Sequence, residues 1–187
     1  MQRQEAYNIL KKHVKSEHLL KHAVAVEIAL RAYAGKFGED VEYWGTVGLL
    51  HDIDFEKYPE EHLQHSEELL KAEGFDDAFV TDVISHERAW PHERTLLQKT
   101  LLACDEMTGF VIACALVRPD KSLESLEVKS VVKKMKDKGF ARAVNREMLK
   151  ESAEAMGLDI KDHIDFVRQA LSDNANKEPY AEVKLLG

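Results

Sequence analysis

Along most of the chain, apolar residues recur at spacings of three and four, and strict apolar–polar alternation is missing. A period near 3.6 belongs to the α-helix and a period of two to the strand, so the pattern predicts an all-α protein. Glycine and proline are sparse and fall between the periodic segments, where they end helices.

The pattern predicts a short amphipathic helix over 3–15 and a longer one from the N-cap Ser16 to about 37, stopped by GKFGED. A third spans 41–51. After a loop over 52–61 containing Pro59, helices are expected at 63–73 and 76–88, with Gly74 between them. Residues 92–116, after Pro91, are apolar almost all round, which marks a central helix packed on several sides. Beyond the RPDKS break at 118–122 come charged helices over 124–138, 142–156 and 159–172, and the tail from 174 to 187 reads as loose or packed on a partner.

Length and composition add limits. A chain of 187 residues, 44% hydrophobic and 32% charged, supports one domain with a substantial core. The net charge of −8 argues against general nucleic-acid binding, since phosphate backbones are held by basic surfaces. No apolar run reaches the about 18 residues of a membrane span, and the charged N-terminal segment does not read as a secretion signal. Cys104 and Cys114 share one apolar segment and lack paired thiolate-site spacing, so they read as reduced core residues of a cytoplasmic protein.

The polar residues that break the apolar faces carry the chemistry. His22 shares its face with Leu19, Val26 and Ala29, and His51 lies on the face of Trp44, Val47 and Gly48. Asp52 follows directly, and Asp105 interrupts the most apolar helix, among Leu101, Leu102, Gly109 and Ile112. A buried carboxylate needs a basic partner, a proton or a metal ion. His86 lies on a stripe with Phe79 and Val83, and His65 opens a helix that continues with Leu69 and Leu70; His62 competes with His65, and His92 sits in a loop. Each histidine alone reads equally as a satisfied core or surface residue. Together, residues of separate helices point to one interior, and imidazoles with carboxylates and no cysteine suit divalent Mn, Fe, Co, Ni, Zn or Mg.

The ordered set His22, His51-Asp52, Asp105 resembles the H…HD…D signature of the HD superfamily of metal-dependent phosphohydrolases, and the all-helical pattern agrees with that fold. HDID is similar to a common variant of the motif in which glycine follows isoleucine; here Asp54 stands instead. The resemblance covers about 16–116, leaving 123–173 as a C-terminal helical extension. It implies one metal held by His22, His51, Asp52 and Asp105, and a second held by His65 and His86 and bridged by Asp52. It also implies water-activated hydrolysis of a phosphate ester or anhydride of a nucleotide or other small phosphorylated metabolite.

Asp52 and Asp54 are the catalytic candidates, with Asp54 open between a catalytic carboxylate and a loop cap and Glu56 open as a loop carboxylate. Arg88, Arg118 and Lys121 are the candidates for holding substrate phosphate. The one basic stretch, Lys129 to Arg146, reads as an anion funnel or as a helix's wet face. A non-catalytic nucleotide-binding or signalling module with a structural metal is the competing reading.

Overall fold

The computed structural model describes residues 1–187. It contains nine α-helices and no strand: α1 (Arg3–His13), α2 (Glu17–Phe37), α3 (Val41–Leu50), α4 (Ser66–Ala72), α5 (Asp77–Ile84), α6 (Leu96–Leu116), α7 (Val128–Lys136), α8 (Arg146–Ala155) and α9 (Ile160–Asn174). The all-α expectation holds. No helix is long and apolar enough to cross a membrane.

The helix ends follow local chemistry. Ser16 precedes α2, and Gly38 closes it at φ 75°, a left-handed conformation that glycine adopts without Cβ strain. Helix α4 starts at Ser66 and not near 63, because Leu63 turns back at φ 70°. Helix α6 starts at Leu96, where Thr95 and Gln98 form a reciprocal capping box. The segment before it is held by Arg94, whose guanidinium donates to the carbonyls of Ser85 (2.9 Å) and Glu87 (2.6 Å).

Helices α2 and α6 form the centre, with fully buried Val24, Val26, Leu30, Leu101, Met107 and Phe110. The closest packing is between α2 and α3. A Cβ on Gly48 would lie 3.1 Å from the Val26 carbonyl oxygen and 3.2 Å from Glu27 Cα, so any other residue would push the two backbones apart by a few tenths of an ångström. On the same helix pair, buried Glu27 accepts from Arg3 (3.2 Å) and Arg31 (2.9 Å), which supply the positive partners its burial requires.

The C-terminal helices are built into this core. His163 on α9 donates from Nε2 to the Ala103 carbonyl of α6 (2.9 Å) and accepts at Nδ1 from the Tyr33 hydroxyl of α2 (2.7 Å). The tail is packed: Val183 and Leu185 are buried, and Arg3 reaches across to the Pro179 carbonyl (3.3 Å) and the Tyr180 ring.

Two outcomes follow. Gly48→Ala should lower the unfolding free energy by about 1–3 kcal/mol in urea denaturation, because the neighbouring contacts are backbone and move aside only at a cost; an unchanged midpoint would contradict the close approach. Burial pushes the His163 imidazole down from 6.5 to about 4. The unfolded chain therefore takes up a proton that the folded chain resists, so stability is full above about pH 6.5 and falls by roughly 3 kcal/mol towards pH 4. Urea titrations over that range should show the slope in the wild type and lose this part of it in His163→Asn, whereas parallel slopes would contradict it.

Candidate metal centre

Four elements deliver the site. His22 projects from α2 on the face that meets α3 and α6. His51 is the C-terminal cap of α3, so Asp52 is placed as the chain leaves that helix. A run of tight turns follows, pinned by fully buried Ile53 and by the Tyr58 N–H bond to the Asp54 carbonyl (2.9 Å). His86 comes just after α5, and Asp105 lies midway along α6.

The side chains converge. His22 Nε2 is 3.1 Å from His51 Nε2, 3.1 Å from Asp105 Oδ1 and 3.5 Å from Asp52 Oδ2. On the other side of Asp52, its Oδ1 lies 3.4 Å from His51 Nε2, 3.3 Å from His62 Nε2 and 3.5 Å from His86 Nε2. Two three-residue groups, His22 with His51 and Asp105, and His51 with Asp52 and His86, have all their donor atoms within 4.8 Å of one another.

The hydrogen bonds behind the rings define what the front can do. His51 Nδ1 donates to the Gly48 carbonyl (2.8 Å), and His86 Nδ1 donates to the Val83 carbonyl (2.6 Å). A carbonyl can only accept, so each neutral ring presents a bare lone pair at Nε2. His62 is held the same way by Asp54, whose Oδ1 accepts from Nδ1 at 2.9 Å. The Nε2 atoms thus face carboxylate oxygens across gaps that either a proton on the ring or a shared cation can fill. These donors fit a divalent metal ion.

The carboxylates also favour protonated rings, and a bound cation would take the place of those protons. Burial alone would raise the Asp52 and Asp105 carboxyls, but the surrounding imidazoles outweigh it: His51, His62 and His86 hold Asp52, and His22 and His51 hold Asp105, well below the usual carboxylate range. Burial opposes charge on His62 and His86 as well, yet their contacts with Asp52, with Asp54 added for His62 and the charge of Asp105 for His86, raise both, His62 to about 9.

The structure brings together His22, His51, Asp52, His86 and Asp105, and departs from expectation at His65, Asp54, Arg118 and Lys121. His65 stays outside the cluster: its Nε2 bonds Glu61 one turn back (2.7 Å), and its ring stacks on Tyr58. His62 occupies the place expected for His65, because the Leu63 reversal directs the residue before it inward. Asp54 is fully buried, caps no helix and does not line the cavity; it orients His62. Arg118 and Lys121 lie beyond the far end of α6, whose last residue, Leu116, is about 16 Å along the axis from Asp105, and Arg118 pairs there with Asp120 at 3.1 Å. Arg88 does line the site, paired with Glu106. Glu56 is turned away and accepts the Lys15 and Ser16 backbone N–H groups (2.7 and 2.9 Å). The one signal for the His62/His65 choice in the sequence is the Glu61–His65 spacing of four, which suits a surface pair.

Asp52, His62, His86 and Asp105 form the floor of an open cavity of about 530 Å³. Its walls are Phe55, Leu63, Leu102 and Met148, with Arg88, Glu87 and Glu106 at the polar side. A family model described as HD domain matches residues 19–183, a span that takes in every residue of the cluster. Comparison with curated proteins and with solved structures gives no match.

The geometry separates the two neighbouring histidines experimentally. His62→Ala should weaken binding of a second Mn²⁺ by well over tenfold in a competition assay, Asp54→Asn should weaken it about 10–100-fold by freeing the ring behind the ligand, and His65→Ala should leave it unchanged. Loss with His65→Ala and not with His62→Ala would contradict the placement.

Proposed function

The chain belongs to the HD-domain family, and on that premise we propose that it is a metal-dependent phosphohydrolase acting on a small phosphorylated metabolite, nucleotides included. In this reading His22, His51, Asp52 and Asp105 would hold one divalent ion, and His62 and His86, with Asp52, would hold a second. Such ions supply an acidified water nucleophile and positive charge for the phosphoryl oxygens.

The observation that carries the reading is where the cluster sits. A structural metal site is closed off by its ligands, whereas a catalytic one keeps access for water and substrate. Here Asp52, His62, His86 and Asp105 are exposed to a cavity of about 530 Å³, a size that suits a small organic ligand. This openness favours an enzyme over a binding module with a structural metal.

The residues divide the work. Asp52 contacts both halves of the cluster and keeps its negative charge, so it fixes their separation. His51 and His86 are immobilised by main-chain carbonyls and His62 by Asp54, so the site is organised before substrate arrives. Arg88 is the only lysine or arginine lining the cavity. A substrate phosphate competes with Glu106 for its guanidinium, which offers a two-pronged contact. Phe55, Leu63, Leu102 and Met148 give an apolar wall for the uncharged part of the substrate.

Purified protein assayed against nucleotides and generic phosphate esters with Mn²⁺, Mg²⁺, Co²⁺ or Ni²⁺ should show turnover with at least one pairing. Asp52→Ala and Asp105→Ala should lower it by about 10²–10³-fold or more. Arg88→Ala should raise KM about tenfold or more, the loss of a charge-assisted contact net of its present pairing with Glu106. Full hydrolysis by metal-stripped protein, or tight nucleotide binding without turnover under every metal, would overturn the proposal.

A further inference from the structure

Charge is distributed very unevenly along this acidic chain. Residues 128–150 hold eight basic side chains and two acidic ones, a local net charge of +6, which leaves −14 for the remainder. The structure gathers seven of these eight cations around two cavities that share no lining residue with that of the metal centre, although Asn145 at the second bonds Glu106 of the metal-centre cavity (2.9 Å). One, of about 670 Å³, lies between the end of α6 and α7 and is lined by Lys133, Lys134 and Lys136, with Cys114 and Leu126. The other, of about 650 Å³, is lined by Lys136, Lys138, Arg142 and Lys150, beside the first turn of α8. Lys136 belongs to both.

Most of these charges have no internal partner. Lys134 reaches Asp137 only at 3.9 Å, and Arg146 is committed to the carbonyls of Phe140, Ala141 and Val144. Lys133, Lys136, Lys138, Arg142 and Lys150 form no ion pair, although the chain has more acidic than basic residues. Lys133 and Lys136 lie one turn apart on α7, one turn after Lys129, which pairs with Glu127 at 3.0 Å, while Val131, on the other side of the helix, is buried. Like charges at that spacing destabilise a helix. A row of unpaired, mutually repelling cations that lines concave surfaces is what an anionic ligand would neutralise.

We propose that this α7–α8 face is a second anion site, separate from the metal centre, that binds a small ligand carrying several linked phosphate groups. One orthophosphate engages few of these cations at once, whereas linked phosphates can engage several, and Lys136, which lines both cavities, joins the two sets. A long polyanion is disfavoured, because the surrounding surface carries the −14 and would repel its ends.

The test needs neither metal nor turnover, so its failure is distinct from failure of the hydrolase reading. Full-length protein stripped of metal, then freed of chelator, is titrated calorimetrically with inorganic tripolyphosphate and with orthophosphate at low ionic strength. Tripolyphosphate should bind once per chain and at least tenfold tighter than orthophosphate. Lys133→Gln/Lys136→Gln should weaken it tenfold or more, Lys161→Gln on α9 should not, and Asp105→Ala should bind as the wild type does. Arg142→Gln alone provides the same comparison if the double variant does not fold. No binding, equal affinity for the two anions, equal loss in Lys161→Gln, or loss in Asp105→Ala would each overturn the proposal.

Discussion

Two carboxylates, Asp52 and Asp105, are drawn into the interior of a helical bundle and meet the same His22 nitrogen, at 3.5 and 3.1 Å. Both are largely shielded from water although they line the cavity, so leaving them without positive partners is costly. The rest of the local structure answers that constraint. Gly48 lets α2 and α3 close up so that His22 and His51 face each other, and main-chain carbonyls or Asp54 turn the remaining ring nitrogens towards the aspartates. The bundle is thereby arranged around a place for positive charge.

The C-terminal helices are part of that arrangement. Helix α9 grips α6 through His163 two residues before Asp105. Helix α8 contributes Met148 to the cavity wall, and Glu106, next to Asp105, bonds both Arg88 and the Asn145 N–H (2.9 Å) that precedes α8. One carboxylate thus ties the cationic side of the cavity to the start of α8, so the extension shapes the cavity.

What was legible in the sequence follows from where each residue sits. His22, His51 and Asp105 lie on regular helices or at a helix end, where the 3.6-residue period reports facing directly. The choice between His62 and His65 lay in an irregular loop, where period carries no information and one left-handed residue, Leu63, decides which side chain turns inward. Asp54 was ambiguous for the same reason: its role depends on His62, a partner eight residues away across a turn. Arg118 and Lys121 misled because they follow Asp105 in order, yet a helix carries its sequence neighbours away at about 1.5 Å per residue. Helix types were readable from pattern, but the starts of α4 and α6 depended on a backbone reversal and a capping box.

Elemental analysis of protein purified without chelators tests the central claim most directly. The arrangement of imidazole lone pairs around Asp52 and Asp105 predicts stoichiometric divalent transition metal or magnesium, rising to two ions per chain on reconstitution and lost in Asp52→Ala. A wild-type chain that carries no metal, takes none up on reconstitution and keeps its stability unchanged would contradict it.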